Sequence, residues 1–116
     1  MMNDAEKVAQ MDQWLSHLWM VRTFLKHSEE AEEDDELAEI HRELYDFMLA
    51  LGGPANDNDH TAYLRVARKK LKRLIKARDL YLEIQPEISE HTNFRMSAMS
   101  LDATVNAICG ILAKTD

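Results

Sequence analysis

With 116 residues, 46% of them hydrophobic, the chain is long enough for one domain with its own core, and its three Gly and two Pro argue against many tight turns. The formal net charge of −7 argues against general affinity for nucleic acid or an anionic membrane. Cys109 is the single cysteine, and no apolar run approaches the roughly 18 residues of a membrane span, so we predict a cytoplasmic protein without disulfides.

The first predicted helix covers about residues 4–28, where apolar residues recur at helical spacing. The acidic stretch SEEAEEDDE follows, and its charge predicts a segment that does not pack. Asp34 or Asp35 is suited to cap a second helix over about 35–51, because a short acidic side chain accepts hydrogen bonds from the first free N–H groups.

The stretch LGGPANDND predicts the end of this second helix. Gly52 and Gly53 permit a left-handed stop, and Pro54 opposes continuation, so we expect a loop here. Asn58 or Asp59 then caps a third helix over about 60–84.

Pro86 closes the third helix and suits the first turn of a fourth over about 86–114, although Thr92 or Asn93 could cap a later start. We therefore predict an all-α fold, a single helical domain over residues 1–116 that forms a four-helix antiparallel up-and-down bundle. The main rival is a pair of helical hairpins whose core is completed by another chain.

Two arginines occupy positions where the helical pattern would place an apolar residue. Arg22 falls among the leucines of the first helix, and Arg78 lies on the apolar stripe of the third. Because a guanidinium stays charged, each must meet acids or a bound anion. We expect them near one end of the bundle, either in a salt-bridge network or in a small-anion site formed by Arg22, Arg78, Glu36, Glu87, Glu90, His91 and Asn93.

The segment WLSHLWMVRTFL, residues 14–25, is apolar almost all round. One face can pack in the core, but the other needs a second neighbour, so we predict burial against another subunit. The predicted interface comprises Trp19, Met20, Phe24, Leu80, Ile84, Met96 and Met99. The alternative is that this helix is central in a less regular bundle.

Eight of the 14 Lys and Arg residues lie between Arg65 and Arg78. Leucines interrupt this run at core spacing and no aromatic residues alternate with it, so we expect a solvated helix face, which the acidic run from Glu29 to Glu36 could attract. The five His do not have the spacing of a metal site, and we predict no metal and no cofactor.

Arg22 and His27 are separated by four residues. This spacing resembles the motif of helical ribonuclease domains of the HEPN type, which are small dimeric bundles. The resemblance covers two residues and implies an RNA-cleaving role for them, although in that family the motif lies on a late helix and here it lies on the first.

Taken together, these patterns favour a small protein that acts by protein interaction or homo-oligomerisation rather than by catalysis. A module that binds a small anionic ligand and a HEPN-like ribonuclease are the two alternatives.

Overall fold

The computed structural model describes residues 1–113, and all regular secondary structure in that range is helical. The all-α prediction is therefore confirmed. The five helices are α1 (Asp4–Lys26), α2 (Glu29–Glu33), α3 (Asp35–Asn56), α4 (His60–Ile88) and α5 (Thr92–Leu112).

Side chains that hydrogen bond to free backbone N–H groups define the helix starts. Asn3 and Glu6 form a reciprocal capping box at α1. Asp34 accepts from the Leu37 N–H at 2.9 Å at the start of α3, and Asp59 accepts from the Ala62 N–H at 3.0 Å at α4. Both acidic caps agree with the sequence pattern.

The acidic segment after α1 does pack, contrary to our expectation. Its helix α2 is capped by Ser28, whose hydroxyl accepts from the Ala31 N–H at 3.2 Å, and Ala31 is buried. A single small apolar side chain is enough to dock one short helix, because the surrounding glutamates can point to solvent.

The predicted helix stop at Gly52, Gly53 and Pro54 is wrong, because α3 continues through all three to Asn56. No glycine among the described residues has positive φ, and Asn58, with φ of 54°, supplies the left-handed turn instead. Asparagine tolerates this conformation better than most residues. Helix α3 thus extends one more turn beyond its buried Leu51.

Pro86 likewise lies inside α4, which ends at Ile88 rather than at about 84. The last helix starts at Thr92 and not at Pro86, with His91 as its cap: the Asn93 N–H donates to His91 Nδ1 at 3.0 Å. The later of the two predicted starts is therefore correct. The predicted end of this helix at 114 lies outside the described residues.

Helix α1 packs against α3 and α5, and α4 packs against the same two helices. Phe24, near the end of α1, meets Phe94, near the start of α5, and Arg73 of α4 meets Glu43 of α3. The core between the helices contains Leu18, Leu25, Leu44, Leu74, Tyr81 and Leu101.

Candidate functional site

Arg78 lies in the groove between α4 and α5, with its side chain only 14% exposed. Its Nε donates to Asp79 at 2.6 Å, and its Nη1 donates to Asp102 at 3.1 Å and to Asn106 at 2.9 Å. Acids and an amide thus satisfy this guanidinium within the fold.

Arg22 lies in the groove between α1 and α3 and has aromatic neighbours instead. Its guanidinium carbon is 4.9 Å from the ring centroid of Trp19 and 4.5 Å from that of Tyr45. Both distances allow a cation–π interaction. The Arg22 Nε is buried without a hydrogen-bond partner, and no ion pair joins Arg22 to a carboxylate of residues 1–113.

The structure therefore separates the two arginines that we expected in one cluster. Glu36 and Glu87 do come together, in an acidic surface depression between the α2 to α3 segment and the end of α4. Glu90 lies with Arg95 beside another depression. His91 caps α5, and Asn93 is exposed next to it. Within residues 1–113, no hydrogen bond links these five residues to either arginine.

The surroundings of Arg22 contain three basic residues that the sequence analysis did not single out. His41 is half-buried on α3, and its pKa is lowered by burial and by the positive charges of Arg22, Arg42 and Lys26. Lys26, four residues after Arg22, is close enough to His41, four residues before Tyr45, for its charge to act on that imidazole. The sequence shows this i, i+4 spacing on each helix, but it does not show that α1 packs against α3. The basic cluster around His41 therefore could not be predicted from the sequence.

The predicted interface residues fall into three groups. Met20 and Met99 are 66% and 64% exposed, and Met96 is also exposed. Trp19 is exposed but lies against Arg22. Phe24 contacts Phe94 edge to face at a centroid distance of 5.0 Å, and Leu80 and Ile84 pack against the core. The direction that we assigned to Phe24, away from the bundle, is therefore wrong.

The basic run of α4 faces acids of α3. Arg73 Nη2 donates to Glu43 at 3.1 Å, and Glu39, Glu43, Arg73 and Lys76 line one groove. Exposed pairs of this kind contribute little stability. Glu43 and Glu39 thus take the place that we expected for the run from Glu29 to Glu36.

Two buried tyrosines place hydroxyl groups in the interior. The Tyr81 hydroxyl lies 2.7 Å from the Ser97 hydroxyl, and burial raises the pKa of Tyr81. Burial and the nearby Asp12 carboxylate also raise the pKa of Tyr63. Both phenols therefore stay neutral, and their contacts to α5 and α1 are structural.

Two further features of the structure concern the ribonuclease alternative and metal binding. Arg22 lies against two aromatic rings, whereas His27 is exposed at the end of α1, and within residues 1–113 no hydrogen bond joins the two side chains. Their geometry thus adds nothing to the ribonuclease alternative. Among residues 1–113, no group of three His, Cys, Asp or Glu side chains is arranged to hold a metal ion, and no helix combines the length and apolar character needed to cross a membrane.

No family model matches this chain, and neither a curated protein nor a solved structure matches it significantly.

Proposed function

We propose that this protein acts by self-association through an uncharged face of α1 and α5, and that its biological role depends on protein interaction rather than catalysis. The face is defined by Met20, Met96 and Met99, and we call it the methionine face. Met20 lies one turn before Phe24, and Met96 lies two residues after Phe94, so the Phe24 to Phe94 contact places them at similar heights.

The exposure of these methionines is the observation that carries the proposal. Large exposed apolar side chains that gather on one face are typical of contact surfaces, and methionine adapts to such surfaces because its side chain is flexible and polarizable.

The distribution of charge supports a second copy of the chain as the partner. Residues 13–25 contain one Asp, Glu, Lys or Arg, which is Arg22 and faces α3; residues 96–113 contain one, which is Asp102 and binds Arg78. Two chains of net charge −7 repel each other, so they can associate most easily where charge is lowest. An uncharged apolar face is also complementary to itself, as a two-fold dimer requires.

The proposed architecture is a single domain in which α1, α3, α4 and α5 form an antiparallel up-and-down bundle and α2 covers one end. The contact of Phe24, near the end of α1, with Phe94, near the start of α5, and the short connection from Asp57 to Asp59 support this arrangement. In it, α1 and α5 are neighbours, and their outer sides form one continuous surface.

Analytical ultracentrifugation of the wild type and of two single variants tests the proposal. We expect a dimer for the wild type and a folded monomer for Met20→Glu, because the new carboxylate would be buried without a partner. Leu49→Glu is the matched control, since Leu49 is also exposed but lies on α3, and it should remain a dimer. A monomeric wild type, or a Met20→Glu variant that dimerises normally, would contradict the proposal.

A further inference from the structure

Three cationic side chains gather around the groove between α1 and α3. Arg22 faces Tyr45, and Lys26 lies one turn further along α1, near His41. Arg42 is the residue after His41, and it is close enough to act on that imidazole together with Arg22 and Lys26.

The molecule as a whole is acidic, with 21 Asp and Glu against 14 Lys and Arg. Among residues 1–113, the ion pairs involve Arg73 and Arg78, and none joins Arg22, Lys26 or Arg42 to a carboxylate.

Arg22 is also held in a fixed orientation. Trp19 and Tyr45 lie against its guanidinium, and its Nε is buried without a partner. Aromatic contacts satisfy the faces of a guanidinium but not its N–H donors, which lie in its plane. An oxyanion in the groove would accept from the outer N–H groups of Arg22, those on its two Nη atoms.

We propose that the groove between α1 and α3 binds a dianionic oxyanion of the phosphate class through Arg22, Lys26 and Arg42, with His41 at its edge. Three permanent positive charges, none of them in an ion pair with a carboxylate of residues 1–113, suit a dianion better than a monocarboxylate, and the planar guanidinium of Arg22 matches two oxygens of a phosphoryl group. This site is independent of the methionine face, because Arg22 and Met20 lie on different sides of α1.

Titration with inorganic phosphate at constant ionic strength is the primary test. Trp14→Phe leaves Trp19 as the single tryptophan, so its fluorescence reports on the groove. We expect a saturable change in fluorescence, together with an upward shift of the His41 pKa in an NMR titration when phosphate is bound. A shift that does not saturate, or that sodium chloride reproduces, would overturn the proposal.

Single variants in the Trp14→Phe background locate the site. Arg22→Gln should weaken phosphate binding by about tenfold or more, since it removes charge-assisted hydrogen bonds. Lys26→Gln and Arg42→Gln change exposed residues, so they should fold and still weaken binding severalfold. Arg73→Gln removes the same charge from α4 and should bind phosphate like its parent; an equal loss in this control would show general attraction and overturn the site.

Two further probes define the ligand class and its source. Acetate at the same concentration should bind much more weakly than phosphate, and equal binding would contradict a dianion site. Binding of a phosphomonoester such as glycerol phosphate as tightly as inorganic phosphate would indicate a phosphorylated metabolite as the source. Tighter binding of inorganic phosphate alone would indicate the free ion.

Discussion

The grooves around Arg22 and Arg78 show two ways in which one fold accommodates a half-buried arginine. Arg78, between α4 and α5, donates to Asp79, Asp102 and Asn106. Arg22, between α1 and α3, lies between the rings of Trp19 and Tyr45 with its Nε unpaired.

The difference separates a structural role from a candidate binding role. Where acids already satisfy the guanidinium, a ligand would have to displace them, and binding would lose their contribution. Where aromatic rings cover only the faces of the guanidinium, its outer Nη groups can donate to a ligand without displacing an acid. The comparison can be tested by changing each arginine and its neighbours in turn.

The largest effect is expected for Arg78→Met. This change removes the partner of Asp102 and Asn106, whose own side chains are partly exposed to water, so the free energy of unfolding should fall by about 1.5 kcal/mol. Urea unfolding followed by circular dichroism measures the change.

A double-mutant cycle with Asp102→Asn assigns the loss to this pair. The two changes should be clearly less than additive, because either one removes the same ion pair. Full additivity would show that Arg78 acts through its packing rather than through Asp102.

A smaller loss is expected for Tyr45→Leu. Removing the ring that lies 4.5 Å from the Arg22 guanidinium should lower the free energy of unfolding by about 1 kcal/mol. Tyr45→Phe keeps an aromatic ring and serves as the control, with a loss well below that of the leucine variant. Equal losses for both variants would assign the effect to the hydroxyl instead.

The sequence predicted that both arginines lie at the edge of the core, but it predicted neither their separation nor their partners. A helical pattern shows that residue 22 or 78 faces inward, whereas the choice between an acid and an aromatic ring depends on which helix lies opposite. The same limitation explains Phe24, which we directed outward and which contacts Phe94 of α5. The direction of a side chain at the edge of an apolar stripe depends on which helix packs beside it.

The helix ends show a second limitation, at Pro54 and Pro86. Both were predicted to stop or start a helix, and both lie near the C-terminal end of one. A proline there loses one backbone hydrogen bond, and this cost can be offset when neighbouring residues such as Leu51 and Gln85 are buried. Tertiary packing overrides a local stop signal in both cases, while the short polar caps Asp34 and Asp59 act locally and were predictable.

Arg22→Met should change stability far less than the equivalent change at Arg78. It removes the cation–π contacts, but it also removes a buried Nε without a partner, and methionine packs well against aromatic rings. We expect the free energy of unfolding to stay within about 0.5 kcal/mol of the wild type in the same urea assay. A loss as large as that of Arg78→Met would show that the Arg22 groove is structural as well.

The smallest expected effect is the contribution of His41 to the pH dependence of stability. Burial and the charges of Arg22, Arg42 and Lys26 hold its pKa in the folded protein below the value of 6.5 expected for an unfolded chain. The unfolded chain therefore takes up a proton first as the pH falls, so His41 favours the folded state above about pH 6.5 and reduces stability as the pH falls through its folded pKa.

In His41→Gln the loss of unfolding free energy between about pH 7.5 and pH 5 should be smaller than in the wild type, since glutamine does not titrate over this range. An unchanged pH profile in the variant would show that these charges do not act on His41.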